Sequence, residues 1–219
     1  MAFDFISARP RLRKGDQLFR SDLPDATGNI RLGSSPDAYT IGYRRAAVRL
    51  IQDVLGHQHE CDFLVYPIVF LYRHHVELAI KRIISCVPWV LRRDLTVDEK
   101  SHLENTHKLE ILWGDLEPMF ASICKAVNWD KPKVADLQGV REYIRQLSEV
   151  DPSSENFRYW KPKRGKPAIP ERLRSFNIRH FSEMMGRLAD FLEALDAATT
   201  AAGDMRDDFE DACSIDDPY

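Results

Sequence analysis

An all-α bundle of about five helices, arranged up and down, is the fold class this sequence predicts. Three observations predict it. Apolar residues recur at three- and four-residue spacing through several long windows. No stretch alternates apolar and polar residues with conviction, as a half-buried strand would. Gly, Pro and capping residues fall between the periodic windows, where helices start and stop. The chain has 219 residues, enough for one domain with a real core.

The elements follow in order. Residues 1–35 have weak periodicity and read as an irregular, basic arm, with "RPRLRKG" as its charged part. Ser35 and Pro36 form a helix start, a cap followed by Pro in the first turn. Ile41, Val48, Ile51, Val54 and Leu55 then mark a helix that Gly56 ends. A second helix is expected from about Asp62 to Val87, with Pro67 in its first turns and Pro88 closing it. Thr96 and Glu99 match a capping box and open a third helical region through Val127, which Gly114 and Pro118 should bend or break. A fourth helix, "KVADLQGVREYIRQLSEV", ends before Asp151-Pro152. The loop "DPSSENFRYWKPKRGKPAIP" holds four prolines and is not helical. The last helix spans about Ser175 to Ala201, on the stripe Ile178, Phe181, Met185, Leu188, Leu192 and Leu195. The helical bundle is thus expected over 36–201, with an acidic, disordered tail over 202–219.

Composition bounds the function classes. Hydrophobic residues make up 44% and charged residues 30%, ordinary for a soluble globular protein. No uninterrupted apolar run reaches the roughly 18–20 residues that span a bilayer, and the N-terminus lacks a signal-like apolar core. A cytoplasmic protein without a membrane partner is the expectation. The net charge of −3 is uneven, because "DMRDDFEDACSIDDPY" has seven acids against one Arg and the rest of the chain is net positive. Such a tail is a solubilising extension or a cover for a basic surface. Cys61, Cys86, Cys124 and Cys213 are far apart and form no Cys-x-x-Cys pair, so they read as reduced structural thiols. "HQHEC" at 57–61 has no second ligand cluster at a standard spacing, and neither a metal nor a cofactor is expected. Gly-rich phosphate loops, Gly-x-Ser-x-Gly and His-Glu-x-x-His are all absent.

The stretch "FLYRHHVELAIKRII" sets charged residues inside an otherwise apolar helix. Arg73, Glu77 and Lys81 recur at four-residue spacing and form one line of charge. Two readings are open. The line is an exposed ladder, with about 0.3–0.5 kcal/mol per pair, or it lines a cleft in which Glu77 fixes two cations against an anionic ligand. His75 takes an apolar slot and reads as a hydrogen-bonded core histidine. The loop after the fourth helix sets Arg158, Lys161, Lys163, Arg164 and Lys166 among Phe157, Tyr159 and Trp160. Cations interleaved with aromatics suit single-stranded RNA, with bases on rings and phosphates on charges. The same residues also suit a loop whose rings plug the bundle end.

"YRHHVELAIKRII", "NTHKLEILW" and "FRYWKPKRGKPAIP" together resemble three segments of HEPN domains. These are the Gln/Arg-x-x-x-Glu-x-x-x-Lys helix, the His-x-Leu-x-x-Leu helix start and the Arg-Tyr-Pro loop, with Trp160 where Pro is usual. The three occur in the expected order over about residues 60–200. The resemblance implies a bundle of four or five helices, often dimeric, found in bacterial toxin–antitoxin and phage-defence systems. It implies an RNA- or partner-binding component, and His107 is expected to join the stripe of Arg73, His74, Glu77 and Lys81. Many members are metal-independent endoribonucleases with an Arg-x(4–6)-His motif. Arg174 and His180 in "RSFNIRH" have that spacing, so cleavage by this pair, joined by Arg73 and His74, is the alternative expectation. Histidine exchanges protons near neutral pH, and arginine stabilises charge on a phosphorane-like transition state.

Overall fold

The computed structural model describes residues 37–57, 60–160 and 169–215. The basic arm, the Ser35-Pro36 helix start, the loop tip with Lys161, Lys163, Arg164 and Lys166, and the last four residues of the acidic segment lie outside the described residues. Seven α-helices and one 3-10 turn are present among those described, and no strand. They are α1 (Asp37–His57), α2 (Cys61–Leu91), α3 (Val97–Asn105), α4 (Leu109–Leu116), α5 (Met119–Val127), α6 (Val134–Val150), the 3-10 turn Glu171–Leu173, and α7 (Ile178–Ile215).

The architecture is the expected helical bundle, built around α2. Ile68, Tyr72, Val76, Ile80, Ile83 and Val87 of α2 are buried. They belong to one core with Ala47, Ile51 and Val54 of α1, Leu109, Leu112 and Leu116 of α4, and Met185, Leu188 and Leu192 of α7. Full burial of each such side chain is worth about 1.5–3 kcal/mol. By length and composition α2 is apolar enough to cross a bilayer. In the fold, however, it is the central helix and is packed by four others.

Three boundaries differ from the spacing argument. Pro88 does not close α2, which runs one turn further to Leu91. Proline removes only its own donor, and the side chains of Val87 and Val90 remain buried in the core. The helix stops instead at Arg92, in the left-handed region (φ 52°), where Arg93 N–H donates to the Pro88 carbonyl. The third helical region is three helices. Thr96 and Glu99 form the capping box of α3, Gly114 is accommodated inside α4, and Pro118 separates α4 from α5. Finally, α7 continues past Ala201 to Ile215. Ala202 and Gly203 are buried, Trp89 Nε1–H donates to Asp207 at 2.9 Å, and Arg92 pairs with Asp207 at 2.5 Å. These contacts hold the extension against the end of α2.

Candidate functional site

The charged line of α2 is neither an exposed ladder nor the wall of a cleft. Arg73 is 0% exposed and Glu77 2%. Arg73 uses its donors inside the protein: Nη1 to Glu77 Oε2 at 3.1 Å, Nη2 to the His107 carbonyl at 2.7 Å, and Nε to the Asp151 carbonyl at 3.0 Å. The Asp151 carboxylate lies 3.4 Å from the same Nε. The other Glu77 oxygen accepts from His107 Nδ1 at 2.8 Å and pairs with Lys81 Nζ at 3.2 Å. Arg73 therefore cannot meet a phosphate, which removes it from the expected catalytic set. The cluster runs from a buried base of Asp151, Arg73 and Glu77 to a surface of His107 and Lys81.

The buried base also builds the loop. Asp151 Oδ1 accepts from the backbone of Glu155 at 2.8 Å and of Asn156 at 3.0 Å. The Glu155 carbonyl in turn accepts from the backbone of Arg158 and Tyr159. Arg73 thus holds Asp151, Asp151 holds the turn, and the turn sets Arg158, Tyr159 and Trp160 at the surface. Sequence reasoning missed Asp151. It stands 78 positions from Arg73, and an Asp before Pro at a helix end signals only a turn.

A second omission lies on α2 itself. Phe63, Tyr66, Phe70 and His74 are spaced i, i+3, i+7 and i+11, which places them within about 80° of one another around the helix. Glu77 and Lys81 extend the same face. Phe63 is 76% exposed and Tyr66 is exposed, whereas Phe70 and His74 are partly buried. Phe70 stacks on His74 at 5.7 Å, and Tyr43 of α1 meets the edge of His74 at 4.5 Å. The Arg158 guanidinium lies 5.4 Å from the centre of the Phe70 ring and 5.4 Å from that of Tyr159. Phe157 approaches Tyr66 at 6.4 Å, and Trp160 is 89% exposed. The helical spacing of these rings was visible in the sequence. Their exposure was not.

Arg174 and His180 stand at the start of α7 and are both exposed. Arg174 pairs with Glu171 at 3.4 Å, and Asn177 caps the helix by accepting from the His180 backbone N–H at 2.9 Å. His180 lines a pocket of about 450 Å3 between α6 and α7. The pocket walls are mostly apolar, among them Val69, Tyr143, Leu147 and Phe181, with Arg145 and Asn177 as polar members beside His180. No group of three or more metal-ligating side chains occurs among the described residues. Cys61, Cys86 and Cys124 are free thiols.

Three titratable groups of α2, His74, His75 and Glu77, are displaced downward. Burial holds His75 below the ordinary imidazole value, against the opposing bond from its Nδ1–H to the Thr40 carbonyl at 3.0 Å. Its Nε2 is buried without a partner, so protonation would create an unpaired buried donor. Burial likewise lowers His74, and Arg158, Arg73 and Lys81 add to the effect. Burial pushes Glu77 upward, but His107, Lys81 and Arg73 together hold it below the usual glutamate value. All three groups bind protons less readily in the folded than in the unfolded chain. Their stabilisation is complete above the unfolded values and is lost as pH falls below 6.5 for the histidines and 4.5 for Glu77. Thermal melts should therefore show a first loss of Tm between about pH 7 and pH 5.5, reduced in His75→Gln, and a second loss below the glutamate range. A Tm that stays level from about pH 7 to pH 5.5 contradicts the histidine assignment.

No protein-family model, no curated protein and no solved structure matches the chain.

Proposed function

We propose that this protein is a HEPN-like, RNA-binding component of a bacterial defence or toxin–antitoxin system that takes single-stranded RNA where the Arg158–Trp160 segment meets α2, not in the pocket near His180. The observation that carries the reading is the guanidinium of Arg158 set between the rings of Phe70 and Tyr159, beside the exposed Trp160. Rings that accept bases and cations that accept phosphates are the two requirements of single-strand recognition, and here they share one surface. The basic residues Lys161, Lys163, Arg164 and Lys166 follow directly in sequence. A homodimer is part of the same proposal and is checked by light scattering.

The test is fluorescence anisotropy with short unstructured RNA over a range of salt. Each phosphate contact contributes about 0.7 to the salt slope on a single strand, so replacing Lys161, Lys163, Arg164 and Lys166 together with Gln should flatten it by up to about three units. Trp160→Ala should weaken binding by about 1–3 kcal/mol if a base stacks there. An unchanged slope in the quadruple variant, or no binding by the parent at low salt, removes the RNA reading and leaves a protein partner as the leading one. Cleavage by Arg174 and His180 remains the alternative; it predicts RNA cleavage that His180→Ala abolishes.

A further inference from the structure

We infer that the pocket of about 450 Å3 between α6 and α7 is a binding site for a small, uncharged molecule of two or three fused aromatic rings that presents a hydrogen-bond acceptor. The inference goes beyond the RNA-binding reading and does not depend on it. The volume lies within the range of small-molecule sites, roughly 300–1,000 Å3.

The walls select aromatic chemistry, and their charges exclude an ion. Val69, Leu147 and Met185 are buried members of the lining. Phe157, Phe181 and Met184 line it too but are only partly buried, so part of their apolar surface is not used by the core. Rings and thioethers of this kind pack well against a flat aromatic molecule. The permanent charges of the lining are Arg145 and Glu149, which pair with each other at 3.6 Å. Arg145 also donates from Nε and Nη2 to Glu142 at 2.9 Å and 2.7 Å. No guanidinium is left over for a carboxylate or a phosphate, and an anion would have to break these pairs. A neutral ligand leaves them in place.

The polar atoms call for an acceptor. The Tyr143 hydroxyl donates to the Met184 sulfur at 3.1 Å, and a thioether is a weak acceptor. A ligand carbonyl or ring nitrogen is a stronger partner for that proton. Asn177 Oδ1 is taken by the His180 backbone N–H at 2.9 Å, whereas the Asn177 amide NH2 has no partner among the described residues. Nor does the His180 ring. Tyr143 and Asn177 thus bring two donors to a largely apolar pocket, and His180 adds a third polar group beside them. A few polar groups on an apolar lining fix the orientation of a ring that the walls hold by contact.

Coumarin, an uncharged fused bicycle with a carbonyl acceptor, is titrated against the full-length protein by ligand-observed NMR. Saturable binding to one site per chain is expected, with a Kd below about 1 mM. Tyr143→Phe, which removes only the hydroxyl, should weaken coumarin by about two- to ten-fold at a nearly unchanged Tm. It should leave the binding of naphthalene, which has no acceptor, as in the parent. Met184→Trp, which fills the pocket, should abolish the binding of both. Coumarin-3-carboxylate should bind the parent more weakly than coumarin. Tyr143→Phe decides alone if Met184→Trp does not fold. The absence of saturable coumarin binding by the parent overturns the inference, and so does coumarin binding that Tyr143→Phe leaves unaltered. Equal or tighter binding of the carboxylate overturns the assignment to an uncharged ligand. None of these measurements contains RNA, so each outcome leaves the RNA-binding reading to its own test.

Discussion

Glu77→Ala should destabilise the fold by about 3–5 kcal/mol, the cost of leaving one member of a buried ion cluster without its counter-ion. Glu77 is 2% exposed and Arg73 0%, so water cannot replace the lost carboxylate at the Arg73 guanidinium. Three groups lose a partner at once: Arg73 Nη1, His107 Nδ1 and Lys81 Nζ. For a chain of this size the loss corresponds to a fall in Tm of about 6–20 °C. Two variants separate charge from packing. Glu77→Gln keeps the shape and some hydrogen bonding and should cost less than Glu77→Ala. Arg73→Met with Glu77→Leu and Asp151→Asn removes all three buried charges and fills the space, and should recover part of the loss, since buried ion clusters often contribute little net stability against uncharged isosteres. The triple variant should still disturb the turn that presents Arg158, because Arg73 no longer holds the residue at position 151. A change in Tm of a degree or less in Glu77→Ala would mean that water reaches the cluster, contrary to the observed burial.

The fold was legible in the sequence wherever periodicity and punctuation agree. The stripe from Ile178 to Leu195 and the box of Thr96 and Glu99 are local signals, and both elements form. The misplaced boundaries have tertiary causes. Pro88 looks like a stop, but the side chains around it are buried, and the helix ends only where Arg92 turns left-handed. The acidic composition after Ala201 argues for an unstructured tail, yet Asp207 is held by Trp89 and Arg92 at the end of α2, more than a hundred positions away in sequence. The site divides in the same way. Four-residue spacing relates Arg73, Glu77 and Lys81, but it carries no depth, and depth decides that Arg73 is a structural support while Lys81 reaches the surface. Asp151 could not be found from spacing at all, because its partner lies on another helix.

Gly203→Ala should destabilise the protein even though alanine is the better helix former. In an open helical position the exchange gains about 1 kcal/mol. At Gly203 a Cβ would come within 2.6 Å of three carbons in the Trp89 ring, closer than real side chains approach. The obstacle is the body of an indole, not the end of a flexible chain, and its Nε1–H is tied to Asp207 at 2.9 Å. The ring cannot tilt away without breaking that bond, and the α7 extension cannot move out without separating Asp207 from Arg92. Overpacking of this kind costs about 1–3 kcal/mol, which exceeds the gain in propensity, so the net change should be a loss. A double-mutant cycle isolates the cause. In a Trp89→Leu background the obstacle is gone, and Gly203→Ala should then stabilise by up to about 1 kcal/mol. The change of sign between the two backgrounds, read from thermal or urea melts, is the decisive quantity. If Gly203→Ala stabilises the parent as much as it stabilises Trp89→Leu, then the indole does not rest on Gly203, and the extension beyond Ala201 is not held by that contact.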